Sequence, residues 1–166
     1  NVKVLLIDCD LRRPRIHEIF GINQDEPGLS QLLLEKKPDL EKYIKPTFLT
    51  NLDLIVCGPL PLNPVTLLQS RRILEILNQC KKRYDFILLD CPPIMGFSDT
   101  RILAACSDGL ILVVKEGQYS RKLVRNAIDS LSHSKNQIMG AVLNMTHPES
   151  SDYMTYNYNR QLKYYS

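Results

Sequence analysis

The sequence has no CxxC pair, no initiator Met, no apolar run of membrane-spanning length and no strong excess of either charge. Its five cysteines (Cys9, Cys57, Cys80, Cys91 and Cys106) show no metal-ligand spacing. Three of them lie in or beside apolar runs, where a free thiol behaves as a small hydrophobe. A reducing compartment, the cytosol, is therefore expected. No run approaches the roughly 18 apolar residues of a transmembrane helix, and no signal peptide is present. A net charge of +3 is too mild to predict a nucleic-acid partner. The basic clusters Arg12-Arg13 and Lys81-Lys82-Arg83 read as solvated helix ends. No internal repeat is visible. A chain that begins at Asn1, directly before a strand, is expected to be a fragment.

What is present describes one soluble domain able to bury a core: 166 residues, 44% hydrophobic and 23% charged. Short runs rich in Val, Ile and Leu recur at 2–7, 52–57, 86–90, 109–114 and 138–144. They are too short for typical helices and match strands buried on both faces. Helical patterns fall between them. Asn63-Pro64 reads as an N-cap followed by Pro at the first helical position, with Leu67, Leu68, Leu74, Leu77 and Cys80 near one face. Ser120 is positioned to cap a helix in which Val124, Ala127, Ile128 and Leu131 recur at three and four. GLSQLLLEK (28–36) reads as a short helix. The alternation predicts an α/β fold, doubly wound around a mostly parallel sheet. After Asn144 the composition turns polar and turn-forming, so a domain over 1–148 and a tail over 149–166 are expected.

Two strands finish in aspartate, and open parallel sheets bind ligands at those ends. In KVLLIDCDLRRP, Asp8 and Asp10 leave the same face of an extended chain. In YDFILLDCPP, four apolar residues deliver Asp90, and Pro92-Pro93 stops the strand. Three carboxylates meeting in one crevice repel unless a cation lies among them. A hydrated Mg2+ carrying a nucleotide phosphate suits such a site. Strand-end Asp residues also simply cap turns, and Asp99, or Ser98 beside it, reads as an N-cap.

At these residues the sequence resembles a known family. VLLIDCDLRRP looks like the Walker A-prime motif, and FILLDCPP like the Walker B motif, of the bacterial tyrosine kinases of capsule and exopolysaccharide systems. The similarity continues through PGLSQLL (27–33), LDLIVCGPLPLNPVTLLQS (52–70), SDTRILAACSDGLILVVK (98–115) and IMGAVLN (138–144). It implies a P-loop NTPase fold of the MinD/ParA type, with ATP and Mg2+ as cofactors. Asp8 resembles the A-prime aspartate that holds Mg2+ through water and accepts the phenol proton. Asp10 resembles its partner, and Asp90 the Walker B aspartate, a further metal residue. Asn144 resembles the residue that reads the adenine edge, although an Asn ending a strand also serves as a turn former.

The resemblance also gives a meaning to the last stretch, YMTYNYNRQLKYYS, which holds five of the eight tyrosines. Tyr153, Tyr156, Tyr158, Tyr164 and Tyr165 become autophosphorylation sites, modified in trans within a ring of subunits. A membrane chain-length regulator, fused or separate, and a protein-tyrosine phosphatase are the implied partners. They place the kinase in the cytoplasm, at the inner face of the plasma membrane. One element of the family pattern is missing. None of the seven glycines is followed by Lys, so the phosphate-cradling GxxxxGK[ST] loop is not in this sequence. A fragment without its first strand and P-loop, and a degenerate non-catalytic subunit, both fit that absence. The isolated 166 residues are expected to be inactive, with exposed strand edges and poor solubility. The alternative functions are a MinD/ParA-type ATPase and a non-catalytic pseudo-kinase subunit phosphorylated by a partner.

Overall fold

The apolar runs fold as strands because Val, Ile and Leu pack well on a pleated surface and the flanking turns leave no room for helices. The computed structural model describes residues 2–132 and 137–146. The predicted tail, with all five candidate tyrosines, lies outside the described residues. The chain divides into two compact units, Asn1–Cys106 and Ser107–Ser166.

The first unit is built on a four-stranded sheet. Strand β1 (Val4–Asp8) leads through α1 (Ile16–Ile19), α2 (Leu29–Leu32) and a 3-10 turn (Leu40–Lys42) into β2 (Lys45–Pro46). Then come β3 (Leu52–Ile55), α3 (Pro64–Leu68), α4 (Arg72–Cys80), β4 (Phe86–Asp90) and α5 (Asp99–Ala104). The strand order is β2-β3-β1-β4, with β1 parallel to both β3 and β4. Only β2 runs antiparallel. Leu5, Ile7, Leu29, Leu32, Ile55, Leu68, Ile73, Ile76 and Leu103 are buried in one core. Each such side chain contributes about 1.5–3 kcal/mol of burial energy.

The strands are not all buried on both faces, as the sequence had led us to expect. Strand β4 is the outer strand of its sheet, and Phe86 and Leu88 remain 60% and 50% exposed. Only its Ile87 and Leu89 pack against the core. The single helical pattern expected after Asn63 is two helices, α3 and α4, broken at residues 69–71. The break turns Leu74 outward, where it is 45% exposed, and brings in Ile73 and Ile76 instead. Pro64 does occupy the first helical turn, but the Asn63 side chain makes no capping bond.

The second unit carries β5 (Leu110–Lys115), α6 (Arg121–Ser132) and β6 (Ile138–Asn144). Strands β5 and β6 are parallel, with a register shift after Leu110. The Leu123 N–H donates to Ser120 Oγ at 3.3 Å, the cap that the sequence indicated. Ala127 and Leu131 are buried, whereas Ile128 is at the surface.

Candidate functional site

The register of the sheet brings two of the three candidate carboxylates together. Asp8 pairs with Asp90 across β1 and β4, and the Cys9 N–H donates to the Asp90 carbonyl at 2.8 Å just beyond them. Strand β1 ends at Asp8, so Asp10 is not the next position of a strand, as the extended reading implied. It sits in the turn that follows, where its own N–H donates to Asp8 Oδ1 at 3.2 Å. Asp8 Oδ2 accepts the Ile16 N–H at 3.3 Å. Asp10 Oδ1 in turn accepts the N–H groups of Arg12 and Arg13, at 3.0 and 2.9 Å. The turn is thus a chain of carboxylates, each oriented by backbone donors one step further on.

Asp8 is wholly buried. Burial pushes its carboxyl up to about 6, against the two backbone donors that lower it, and the charges of Asp90 and Asp10 add to the rise. Asp90 is raised as well, by partial desolvation and then by Asp10. Among the described residues neither Asp8 nor Asp90 has an ion-pair partner. The arrangement is one of mutual repulsion that a cation relieves. Among the described residues no set of three His, Cys, Asp or Glu side chains closes on one point as a direct metal cage. A cation that keeps most of its own water, as Mg2+ does, fits this donor set better than a bare ion.

A row of thiols lies under the same strand ends: Cys9 and Cys57 are buried and Cys91 is half-buried. Burial is the leading reason that all three are raised, with Cys57 and Cys91 pushed up to about 12. They are packing groups rather than nucleophiles.

Sequence reasoning missed one interaction at this site. Neither Ser98 nor Asp99 caps α5 with its side chain. The buried Asp99 instead takes the Arg12 guanidinium in a fork, Nε–Oδ2 2.8 Å and Nη2–Oδ1 3.1 Å. Arg12 also lies 4.3 Å above the Phe97 ring. Asn144 ends β6 in the second unit, and its side-chain oxygen accepts the Met145 N–H at 2.8 Å. That bond belongs to a turn in which Met145 adopts φ 54°.

The geometry has counterparts among known proteins. A family model described as an AAA domain matches residues 1–142. The chain is 35% identical over 142 residues to the tyrosine-protein kinase YwqD of Bacillus subtilis, covering 86% of this chain and 59% of that protein. It superposes on the crystal structure of the VpsO kinase domain with a TM-score of 0.82 and 35% identity, covering 87% of this chain and 71% of that one. The chain belongs to the bacterial tyrosine-protein kinases. The fold alone is shared with the cell division ATPase MinD of Pyrococcus furiosus, at a TM-score of 0.68 and 24% identity, over 85% of this chain and 58% of that one. The mostly parallel α/β fold that the alternation predicted, of the MinD type that the family resemblance implied, is the one observed. As a bacterial tyrosine-kinase domain the chain spans about three fifths of the length of YwqD.

Proposed function

We propose that this chain is part of an ATP-dependent protein-tyrosine autokinase that regulates polymerisation and export of an exopolysaccharide or capsule. The observation that carries this reading is the buried Asp8 carboxylate, without an ion-pair partner among the described residues, set in register beside Asp90. When bound, Mg·ATP supplies the phosphoryl group and the positive charge that the carboxylates call for. Asp8 would hold the metal through its water and would take the proton from the attacking phenol, which is un-ionised at neutral pH. The phenol oxygen then bonds to the γ-phosphorus as the bond to the β-phosphate oxygen breaks and ADP leaves. Asp10 would orient the acceptor hydroxyl, Asp90 would order the metal's water, and Asn144 is the residue we assign to the adenine edge. None of these 166 residues forms a GxxxxGK[ST] loop that would cradle the phosphates.

The acceptors are Tyr153, Tyr156, Tyr158, Tyr164 and Tyr165 of a neighbouring copy in a ring. Each phosphate adds about −1.5 to −2 charge, so a heavily modified tail turns strongly anionic and the ring loosens. A membrane chain-length regulator and a protein-tyrosine phosphatase complete the cycle. Among the described residues no helix is long and apolar enough to cross a membrane. Attachment to the inner face of the plasma membrane would come through that regulator, whether fused to this chain or separate. The test is to incubate the full-length protein with Mg·ATP and measure phosphotyrosine and free phosphate together. Phosphotyrosine at the tail is the expected product. Phosphate release without phosphotyrosine would mark a MinD/ParA-type ATPase instead.

A further inference from the structure

We propose that Arg12 and Asp99 are a positioning pair that fixes the Asp10 carboxylate relative to the Asp90 strand end, an inference that rests on the tyrosine transfer proposed above. The backbone and the side chain of Arg12 bond different carboxylates. Its N–H, with that of Arg13, holds Asp10 Oδ1. The direction of the Asp10 carboxylate therefore follows wherever the backbone of residues 12–13 is placed. The guanidinium meanwhile uses two nitrogens on the two oxygens of Asp99, which is 0% exposed and opens α5. That helix begins nine residues after Asp90, and Thr100 Oγ donates to the Pro92 carbonyl at 2.6 Å, tying the intervening loop to the same helix start. The chain thus closes a ring: from Asp90 through the loop to α5, across Asp99 and Arg12, then to Asp10, Asp8 and back across the β1–β4 register.

Stability alone does not account for this pair. Taking the Asp99 carboxylate and most of the Arg12 side chain out of water offsets much of their attraction, and apolar residues of similar volume often serve as well. What apolar residues cannot supply is a fixed angle, which a two-point guanidinium–carboxylate fork does. Phe97, 4.3 Å beneath the guanidinium, holds its plane. Lysine would keep the charge and lose both the fork and the stacking.

The test uses the full-length kinase with Arg12→Lys, Asp99→Asn and the apolar double variant Arg12→Met/Asp99→Leu. Rates of tail phosphorylation are measured against ATP concentration, beside thermal unfolding of each protein. A misplacement of about 1 Å costs on the order of 10²-fold in rate. The two conservative variants are therefore expected to lose roughly 10- to 100-fold in kcat, with KM for ATP within about twofold of wild type. The double variant should unfold near the wild-type temperature and remain slow. Wild-type kcat in the double variant would overturn the proposal, as would a defect confined to KM. Slowing that tracks the unfolding temperature, and vanishes on cooling, would overturn it equally. A wild-type protein that labels no tyrosine contradicts the proposed function itself, which keeps the two failures apart.

Discussion

In the full-length protein, Asp8→Asn is expected to lower tail phosphorylation by about 10²- to 10⁴-fold, the range that a positioned proton acceptor contributes. The fold should survive the change. Asp8 uses its two oxygens to accept the N–H groups of Asp10 and Ile16. An asparagine keeps one of these acceptors and loses the other, at a cost of about 1 kcal/mol. Against that stands the removal of a buried charge which burial, Asp90 and Asp10 all oppose. The two effects are of opposite sign and similar size, so unfolding temperature measured without nucleotide should move by only a few degrees, roughly 2–4 °C per kcal/mol. Activity and stability thereby separate. A large drop in unfolding temperature would assign Asp8 to the fold rather than to the chemistry. Unchanged phosphorylation in the well-folded variant would remove it from the mechanism.

The second large effect concerns stability. Gly28 lies where α2 meets the end of β3, and the Leu29 and Ser30 N–H groups donate to the carbonyls of Val56 and Cys57 at 2.8 and 2.9 Å. A methyl group on Gly28 would stand 2.3 Å from the Val56 carbonyl oxygen, 2.4 Å from the Gly58 nitrogen and 2.6 Å from the Cys57 carbonyl carbon. All three are backbone atoms, which cannot rotate aside. Relief requires α2 to withdraw from β3 and break those bonds. The wall opposite is equally fixed: Gln24 Nε2 donates to the Gly58 carbonyl and Ser30 Oγ to that of Pro59, at 2.8 and 2.7 Å. Gly28→Ala is therefore expected to cost about 3 kcal/mol or more, the upper end of overpacking. That corresponds to a fall of roughly 6–12 °C in unfolding temperature. Gly21→Ala is the control. Its φ of +65° strains alanine, but nothing lies within 4 Å of the new methyl, so the cost should stay near 1–2 kcal/mol. Equal unfolding temperatures for the two variants would refute the close-approach account of Gly28.

Much of this is legible in the sequence. The five long strands carried their own signal, because runs of Val, Ile and Leu between turn-formers have few other ways to fold. Asp8 and Asp90 were legible for a related reason: each ends such a run, and parallel strands in register place their ends side by side. What escaped was whatever depends on a partner distant in sequence. Asp99 has the local signature of a cap, and only the fold reveals that its partner is Arg12, 87 residues away. Strand β2 is two residues long and includes Pro46, so it has no periodicity to detect. The break between α3 and α4 carries no Gly or Pro. It is marked only by Ser70, whose hydroxyl turns back to the Leu67 carbonyl at 2.6 Å. The exposed face of β4 reflects what covers a strand, which its own residues do not encode.

The central claim is that the Asp8–Asp90 site transfers phosphate to tyrosines of another copy. Its most direct test mixes two full-length proteins with Mg·ATP. One carries Asp8→Asn with its tail intact, and the other keeps Asp8 but has Phe at positions 153, 156, 158, 164 and 165. Neither should label its own tail. Together they should yield phosphotyrosine on the Asp8→Asn protein, at Tyr153, Tyr156, Tyr158, Tyr164 or Tyr165. No label in the mixture, while the unmodified protein labels itself, would contradict transfer between copies. Equal label on the Asp8→Asn protein alone would contradict the role of the site.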